Sequence, residues 1–357
     1  MPRVAGVDPG TVSFDLCVLQ DGEPVLEQVF ETGSLGDDPA PLLRTLDEYG
    51  PYDLVYGPSG YGLPLLAAAD VGEPELAQMV LVRPDESHAE AGVGGMRSLL
   101  RAVTRSGLPV VFGPGVIHLP SVPLHRKYNR IDLGTADKVC AAAYAIADQS
   151  ARRDIALEQT SMILLELGGA FTAALAVAGG QIVDGMGGSS GPIGMRAAGA
   201  LDGELAYLLG QSLRKDTLFT GGALDPTGTV GIANDLDGAW RDPIYAEGWT
   251  ALLEGAAKAV RGLEVSVRDP LEIVVSGRVA GVRDLIATLS SSLSDVAPVH
   301  ALGTGGASTA AHGAALLADS LANGPNAGLG EVMRLRESSG SILDHLRVAG
   351  ASAISLG

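Results

Sequence analysis

The chain opens as short apolar runs broken by polar glycine turns. Val4 to Val7 make one run, and Phe14, Leu16, Val18 and Leu19 alternate along a second. The first reads as a buried strand and the second as another. Asp21-Gly22 joins the second run to a third, "EPVLEQVFETG", and an Asp-Gly pair favours the positive φ of a tight hairpin. Further on, apolar residues at helical spacing predict a short helix in "PLLRTLDEYG" and another in "GGMRSLLRAVTRSG". "YDLVYGPSGYGLP" and "LPVVFGPGVIHLPSVP" read as strands leaving into Gly-Pro loops, followed by a helix in "TADKVCAAAYAIADQSARR". The strand pattern restarts at "TSMILLELGGAFTAALAVAGGQIVDGMGG", which sets a boundary between 1–155 and 156–357. Helices are expected in "ALDGELAYLLGQ", "GWTALLEGAAKAVRGLEVSV", "VRDLIATLSSSL" and "STAAHGAALLADSLANG", and as a last element in "GEVMRLRESSGSILDHLRVAG".

The restart repeats the opening. Laid without gaps over "LELGGAFTAALAVAGGQIVDG", the segment "VDPGTVSFDLCVLQDGEPVLE" puts Asp8 on Glu166, Gly10 on Gly168 and Gly22 on Gly180. Each copy heads one half of the chain, as a duplicated architecture requires. Its first turn holds a carboxylate, a glycine and, in the first copy, the hydroxyls of Thr11 and Ser13, which is more polar chemistry than a plain turn needs.

Composition narrows the classes. A formal charge of −18 argues against nucleic acid, whose phosphates attract basic surfaces. No run approaches the apolar length of a membrane span. Two cysteines, Cys17 and Cys140, make neither a disulfide framework nor a Cys-rich metal site, and a cytoplasmic protein is expected.

Backbone N–H groups in such turns form anion-binding concavities. Gly10 lets the backbone approach a phosphate, with Thr11 and Ser13 adding donors, while Asp8 would hold Mg²⁺ rather than touch phosphate. The alternative for Asp8-Pro9-Gly10-Thr11 is a tight turn closed by its own Asp.

Two duplicated halves, each opening on a three-stranded meander with a D/E-x-G turn, resemble the acetate and sugar kinase, heat-shock ATPase and actin superfamily. The resemblance implies an α/β fold of two ribonuclease-H-like (actin-like ATPase) domains, each a mixed five-stranded sheet with flanking helices, and a nucleotide cleft between lobes. "AGVDPGTVSFDLCVL" is similar to the first phosphate motif and "LLELGGAFTAALAVAGGQIV" to the second, implying phosphate contacts from Gly10, Thr11, Ser13, Gly168 and Gly169 and metal ligation by Asp8 and Glu166. "IVVSGRVAG" resembles the adenosine motif, placing Gly277, Arg278 and Gly281 beside adenine or ribose. "DLGTADKV" and "VDPGTVSFDLCVL" resemble more narrowly a family described as predicted butyrate kinases. The Gly-x-x-Asp-Lys start is similar to the turn of type III pantothenate kinases, whose Asp acts on the acceptor hydroxyl. Asp137 would then orient or deprotonate the acceptor, with Lys138 or Arg130 binding an anionic group. Helix capping by Asp137 and a surface ion pair from Lys138 are the alternative.

Ser189 and Ser190 in "GMGGSSGPIGMR" are candidate substrate donors or part of a connection, and Gly305 and Gly306 in "GTGGAS" precede a helix whose N–H groups could reach nucleotide. His118 and His125 flank the loop before Arg126, Lys127 and Arg130, either lining a substrate site or as exposed loop polars. The six histidines show no His-x-x-x-His pair, which disfavours the metal-dependent carbamoylation branch. The expectation is an ATP- and Mg²⁺-dependent kinase acting on a small molecule, with a short carboxylate as acceptor and a homodimer admitted. A nucleotide sensor without catalysis is the rival, and a hydrolase or other group-transfer enzyme a third.

Overall fold

A computed structural model describes residues 2–10, 13–31, 40–86, 93–224, 235–303 and 306–357. Its contacts divide the chain into two compact units, the first made of Met1–Ile131, Thr135–Leu157 and Thr304–Gly357, the second of Asp132–Gly134 and Glu158–Gly303. The sequence places one boundary at 155. In the contacts the change falls at 157/158, and the last stretch clusters with the first unit.

The first unit carries strands β1 (Arg3–Pro9), β2 (Ser13–Gln20), β3 (Glu23–Glu31), β4 (Leu54–Leu63), β5 (Leu66–Ala67) and β6 (Val110–Pro114) in the order β3-β2-β1-β4-β6-β5. β1, β2 and β3 form the antiparallel meander, whereas β4 and β6 run parallel to β1. The hairpin turn has Asp21 at φ 58° and Gly22 at φ 84°, the backbone expected of the Asp-Gly pair. Helices α1 (Ala40–Glu48), α2 (Glu73–Val80) and α3 (Val93–Arg105) contribute Leu46, Leu76 and Leu100 to a core that includes Ala5, Leu16 and Val18. Successive strand residues face opposite sides. Thus Gly6, next to Ala5, meets the other layer, α4 (Ala136–Arg153) and the late helix Thr309–Leu321, called α8 below. A Cβ on Gly6 would lie 2.1 Å from Ala315 N, and one on Gly313 would lie 1.8 Å from Cys140 O, so only glycine permits these approaches.

The second unit repeats the design with β7 (Ser161–Leu167), β8 (Thr172–Ala178), β9 (Gln181–Met186), β10 (Glu272–Ser276) and β11 (Val299–Ala301), ordered β11-β10-β7-β8-β9. β7 pairs antiparallel with β8 and parallel with β10, as β1 does with β2 and β4. The gapless overlay holds at the strand starts that flank each meander: β1 starts at Arg3 and β7 at Ser161, β3 at Glu23 and β9 at Gln181. The second hairpin turn, Gly179-Gly180, has φ of 61° and 70°, matching Asp21-Gly22. The duplicated ribonuclease-H-like architecture is therefore present, with a two-residue edge strand, β5, added to the first sheet.

Helices α5 (Gly203–Leu209), α6 (Ala246–Leu263) and α7 (Arg283–Ser292) belong to the second unit, where Trp249, Leu252, Val260, Leu285 and Leu289 pack on Ile163, Leu165, Ile273 and Val275. The expected last helix over 330–350 is not formed. Only α9 (Ala327–Val332) is helical, and turns follow it, because "ESSGS" contains Gly340 at φ 84° and hydroxyls that bond locally. Among the described residues no helix is long and apolar enough to cross a membrane.

Candidate active site

Asp8 is the next-to-last residue of β1 and lies opposite Asp15 of β2 in the ladder. Its Oδ2 accepts a 2.7 Å hydrogen bond from Ser308 Oγ, 300 positions later. Ser308 is the N-cap of α8, its Oγ also accepting from Ala311 N at 3.1 Å, so one hydroxyl starts the helix and fixes the carboxylate. Burial, then the charges of Asp137 and Asp15, push the Asp8 carboxyl up to about 7, against the Ser308 hydrogen bond and Lys138.

Asp137 stands in the first turn of α4, where the helix dipole favours a carboxylate. Lys138 Nζ donates to its Oδ2 at 2.7 Å, and Thr135 Oγ1 donates to its Oδ1. Burial works against its charge, yet these partners hold the carboxyl below the ordinary range. The first unit thus brings together Asp8, Asp137 and Lys138. Gly10 closes the turn after β1 through Gly10 N to Asp8 O, and Ser13 Oγ donates to Asp15 Oδ2 at 3.4 Å. Thr11 lies outside the described residues, as does Gly305. Arg130 is exposed.

The loop before α8 is tied to the meander by two of its N–H groups. Ala307 N donates to Glu27 Oε2 at 2.9 Å and Ser308 N to Asp15 Oδ2 at 3.2 Å. A Cβ on Gly306 would lie 2.6 Å from that Glu27 oxygen. The Ala307 and Ser308 N–H groups are thus engaged by the protein's own carboxylates.

In the second unit, Glu166 and Ser276 are register partners on the parallel strands β7 and β10, and a glycine bend follows each. A Cβ on Gly168 would lie 3.0 Å from Glu166 Oε1, and one on Gly277 2.9 Å from the same oxygen. Gly277, at φ 87°, would also put a Cβ 2.4 Å from Leu167 O. The two bends therefore converge on one carboxylate, with Gly169 in the first and the exposed Arg278 and Gly281 beyond the second. Ser276, a position the sequence reading passed over, is fully buried with no hydrogen bond to its Oγ.

Ser189 and Ser190 are bonded to Asp132. Ser189 N and Oγ donate to Asp132 Oδ2 at 2.9 and 2.8 Å, Gly134 N donates to Oδ1 at 3.1 Å, and Ser190 Oγ donates to Asp132 O. Asp132, 6 % exposed, is the buried clamp of that loop. Its only trace in the sequence is the acid opening "DLGTADK". His125 is exposed, but His118 is buried, contrary to the reading of it as an exposed loop polar.

A family model described as "Protein of unknown function (DUF1464)" matches residues 6–348. No curated protein matches the chain in sequence. Among solved structures, an acetate kinase from Porphyromonas gingivalis is similar, with a TM-score of 0.59 at 12 % identity over 90 % of this chain and 100 % of that one. A propionate kinase from Francisella tularensis gives 0.59 at 15 % over 88 % and 98 %. The acetate kinase of Entamoeba histolytica gives 0.57 at 14 % over 84 % and 95 %. At these identities the likeness establishes the actin-like fold.

Proposed function

This chain belongs to the DUF1464 family, and we propose that it is an ATP- and Mg²⁺-dependent kinase that phosphorylates a small molecule, with a short carboxylate as acceptor, in the manner of a butyrate kinase. The observation that carries this reading is the repeated meander, which sets an acid at the same place in both copies, Asp8 ending β1 and Glu166 ending β7, each before a glycine bend. Acetate and propionate kinases share the fold.

The donor set fits a hydrated Mg²⁺. Among the described residues no three His, Cys, Asp or Glu side chains form a metal cage. Mg²⁺ bound with nucleotide commonly takes one or two carboxylates and completes its shell with water and phosphate oxygens. Asp8, crowded by Asp137 and Asp15, is a carboxyl that a cation would relieve of its proton. When bound, the metal would neutralise charge on the transferring phosphoryl group. In this proposal Asp8 and Glu166 bear on the metal, Gly10, Thr11, Ser13, Gly168 and Gly169 on phosphates, and Gly277, Arg278 and Gly281 on the nucleoside. Asp137 orients the acceptor, and Lys138 balances its charge.

Mg²⁺-dependent ATP binding by calorimetry tests this. The wild type should bind and Asp8→Ala should bind more weakly. Absence of binding at millimolar ATP and Mg²⁺ would refute the proposal. A second reading, a nucleotide sensor without transfer, is favoured by one observation: Lys138, Ser189 and Ser190, expected to meet substrate, are bonded to Asp137 and Asp132. Nucleotide binding without ADP release on any carboxylate or hydroxyl acceptor would select it.

A further inference from the structure

The stretch "VIHLPSVPLHRKYNR" contains chemistry that the nucleotide reading does not use. Lys127 ends a single helical turn, Leu124–Lys127, yet is only 8 % exposed. Among the described residues its one hydrogen bond goes from Nζ to Leu119 O at 2.9 Å, and no carboxylate pairs with it. An ammonium has three donors, so two N–H groups find no acceptor among those residues. His118 is 2 % exposed, and the Gly115 carbonyl is the one acceptor beside its ring among the described residues. A Cβ on Gly62 would fall 2.2 Å from His118 Cε1, so the ring is walled on that side by a residue with no side chain.

Residues 338–347 run across this loop as a strap without helix or strand. Ser339 N donates to His118 O, Asn129 N to His345 O, and Arg347 N to Asn129 Oδ1, at 3.0, 3.0 and 2.6 Å. The Arg347 guanidinium sits 3.2 Å above the Tyr128 ring. The Lys127 charge reaches both His118 and His345, and the acid on that side, Asp344, is exposed.

A buried cation without a counter-ion, beside a buried imidazole, is costly to keep. Groups held in that state cluster at functional sites. We propose that Lys127, His118 and His345 form a binding site for a small oxyanion, a carboxylate or inorganic phosphate, covered by the strap 338–347. An oxyanion accepts from several donors at once and supplies the missing negative charge. The low exposure of Lys127 and His118 restricts the occupant to a few heavy atoms and requires the strap to part from the loop for entry.

The test uses the full chain and three probes, sodium acetate, sodium butyrate and sodium phosphate, each against chloride at equal ionic strength. Histidine-labelled NMR follows the His118 ring, which burial, opposed by the Gly115 carbonyl and aided by Lys127, holds at about 4. A bound oxyanion should move that titration upward by a unit or more and raise Tm. A response to acetate and butyrate alone identifies a carboxylate site, and a response to phosphate alone a phosphate site. Lys127→Met should abolish the response, and Lys127→Arg should retain part of it. The proposal is overturned if none of the probes moves the His118 titration beyond chloride, or if Lys127→Met responds like the wild type. Should Lys127→Met fail to fold, the wild-type titration decides alone. Mg²⁺-ATP binding measured in parallel separates this site from the kinase reading, since either can fail without the other.

Discussion

Replacing Ser308 by alanine tests whether the start of α8 controls the acid at the end of β1. The hydroxyl does two things: it caps α8 through Ala311 N and donates to Asp8 Oδ2. Loss of the cap costs about 1 kcal/mol at any pH. The second loss depends on pH, because a hydrogen bond to an ionised carboxylate is worth about 1.5–3 kcal/mol and one to the neutral acid about 1. Its removal should raise the Asp8 pKa, already about 7, by roughly a further unit, or about 1.4 kcal/mol. The sign follows from proton linkage. Asp8 titrates higher in the folded chain than in the unfolded one, so its contribution is fully present below pH 3.8 and is lost as pH rises through 7. In Ser308→Ala that loss continues to about pH 8. Denaturant unfolding should therefore show the variant destabilised by about 2 kcal/mol at pH 5 and by about 3–4 kcal/mol at pH 8.5. A ¹³C carboxyl titration of Asp8 should show the shift directly. Equal destabilisation at the two pH values, with an unmoved Asp8 titration, would refute the coupling.

Three further outcomes follow from the packing. His118 titrates near 4 rather than 6.5, so stability is complete above pH 6.5 and falls by about 3 kcal/mol as pH drops to 4, a limb that His118→Phe should remove from an acid-unfolding curve. Gly313→Ala must part α8 from α4, since its Cβ would start 1.8 Å from Cys140 O; thermal unfolding should report a loss of at least about 3 kcal/mol. Asp132→Ala strips the acceptor from Ser189 N, Ser189 Oγ and Gly134 N, costs about 1–3 kcal/mol, and should speed amide exchange at Gly134 and Ser189 while leaving the first unit's amides unchanged.

What was legible in the sequence is what local periodicity encodes. Short apolar runs marked β1, β2, β7 and β8, and the glycine turns between them let an ungapped overlay place both meanders. The "GTADK" start and the Ala-rich run marked α4 and α8 for the same reason. The candidate site was legible only as far as its own turns. Asp8, Asp137, Glu166, Gly168 and Gly277 sit at the strand ends, helix start and glycine bends that the pattern marks, but Ser308, Asp15 and Glu27 enter through contacts that no local pattern announces. Ser189 and Ser190 read as free donors because Asp132 precedes them by 57 and 58 positions. Helical spacing over 330–350 misled because Gly340 and the serines beside it favour turns over another helical turn.

The two acids of the first unit are driven in opposite directions, and that decides their roles if transfer occurs. Two carboxyls whose environments separate their pKa values take different parts in acid–base chemistry. Asp137, kept ionised by Lys138 and Thr135, is a weak base at neutral pH, so it can align an acceptor but does little to remove its proton. A carboxylate acceptor is already ionised near neutral pH and needs no base, which makes this arrangement better matched to an acid than to an alcohol. Asp8, with its proton near neutrality, is the one that a metal would displace. Asp137→Asn keeps the size and the hydrogen-bonding reach but drops the charge. It should lower kcat by about 10²-fold or more while Mg²⁺-ATP affinity stays within a few-fold. Asp8→Asn should do the reverse, weakening Mg²⁺-dependent binding first. Steady-state ADP release with a panel of short carboxylates and alcohols, alongside calorimetry, separates the two effects. Turnover on alcohols alone, with a bell-shaped profile governed by Asp137, would overturn the assignment of roles and return Asp137 to the part of base.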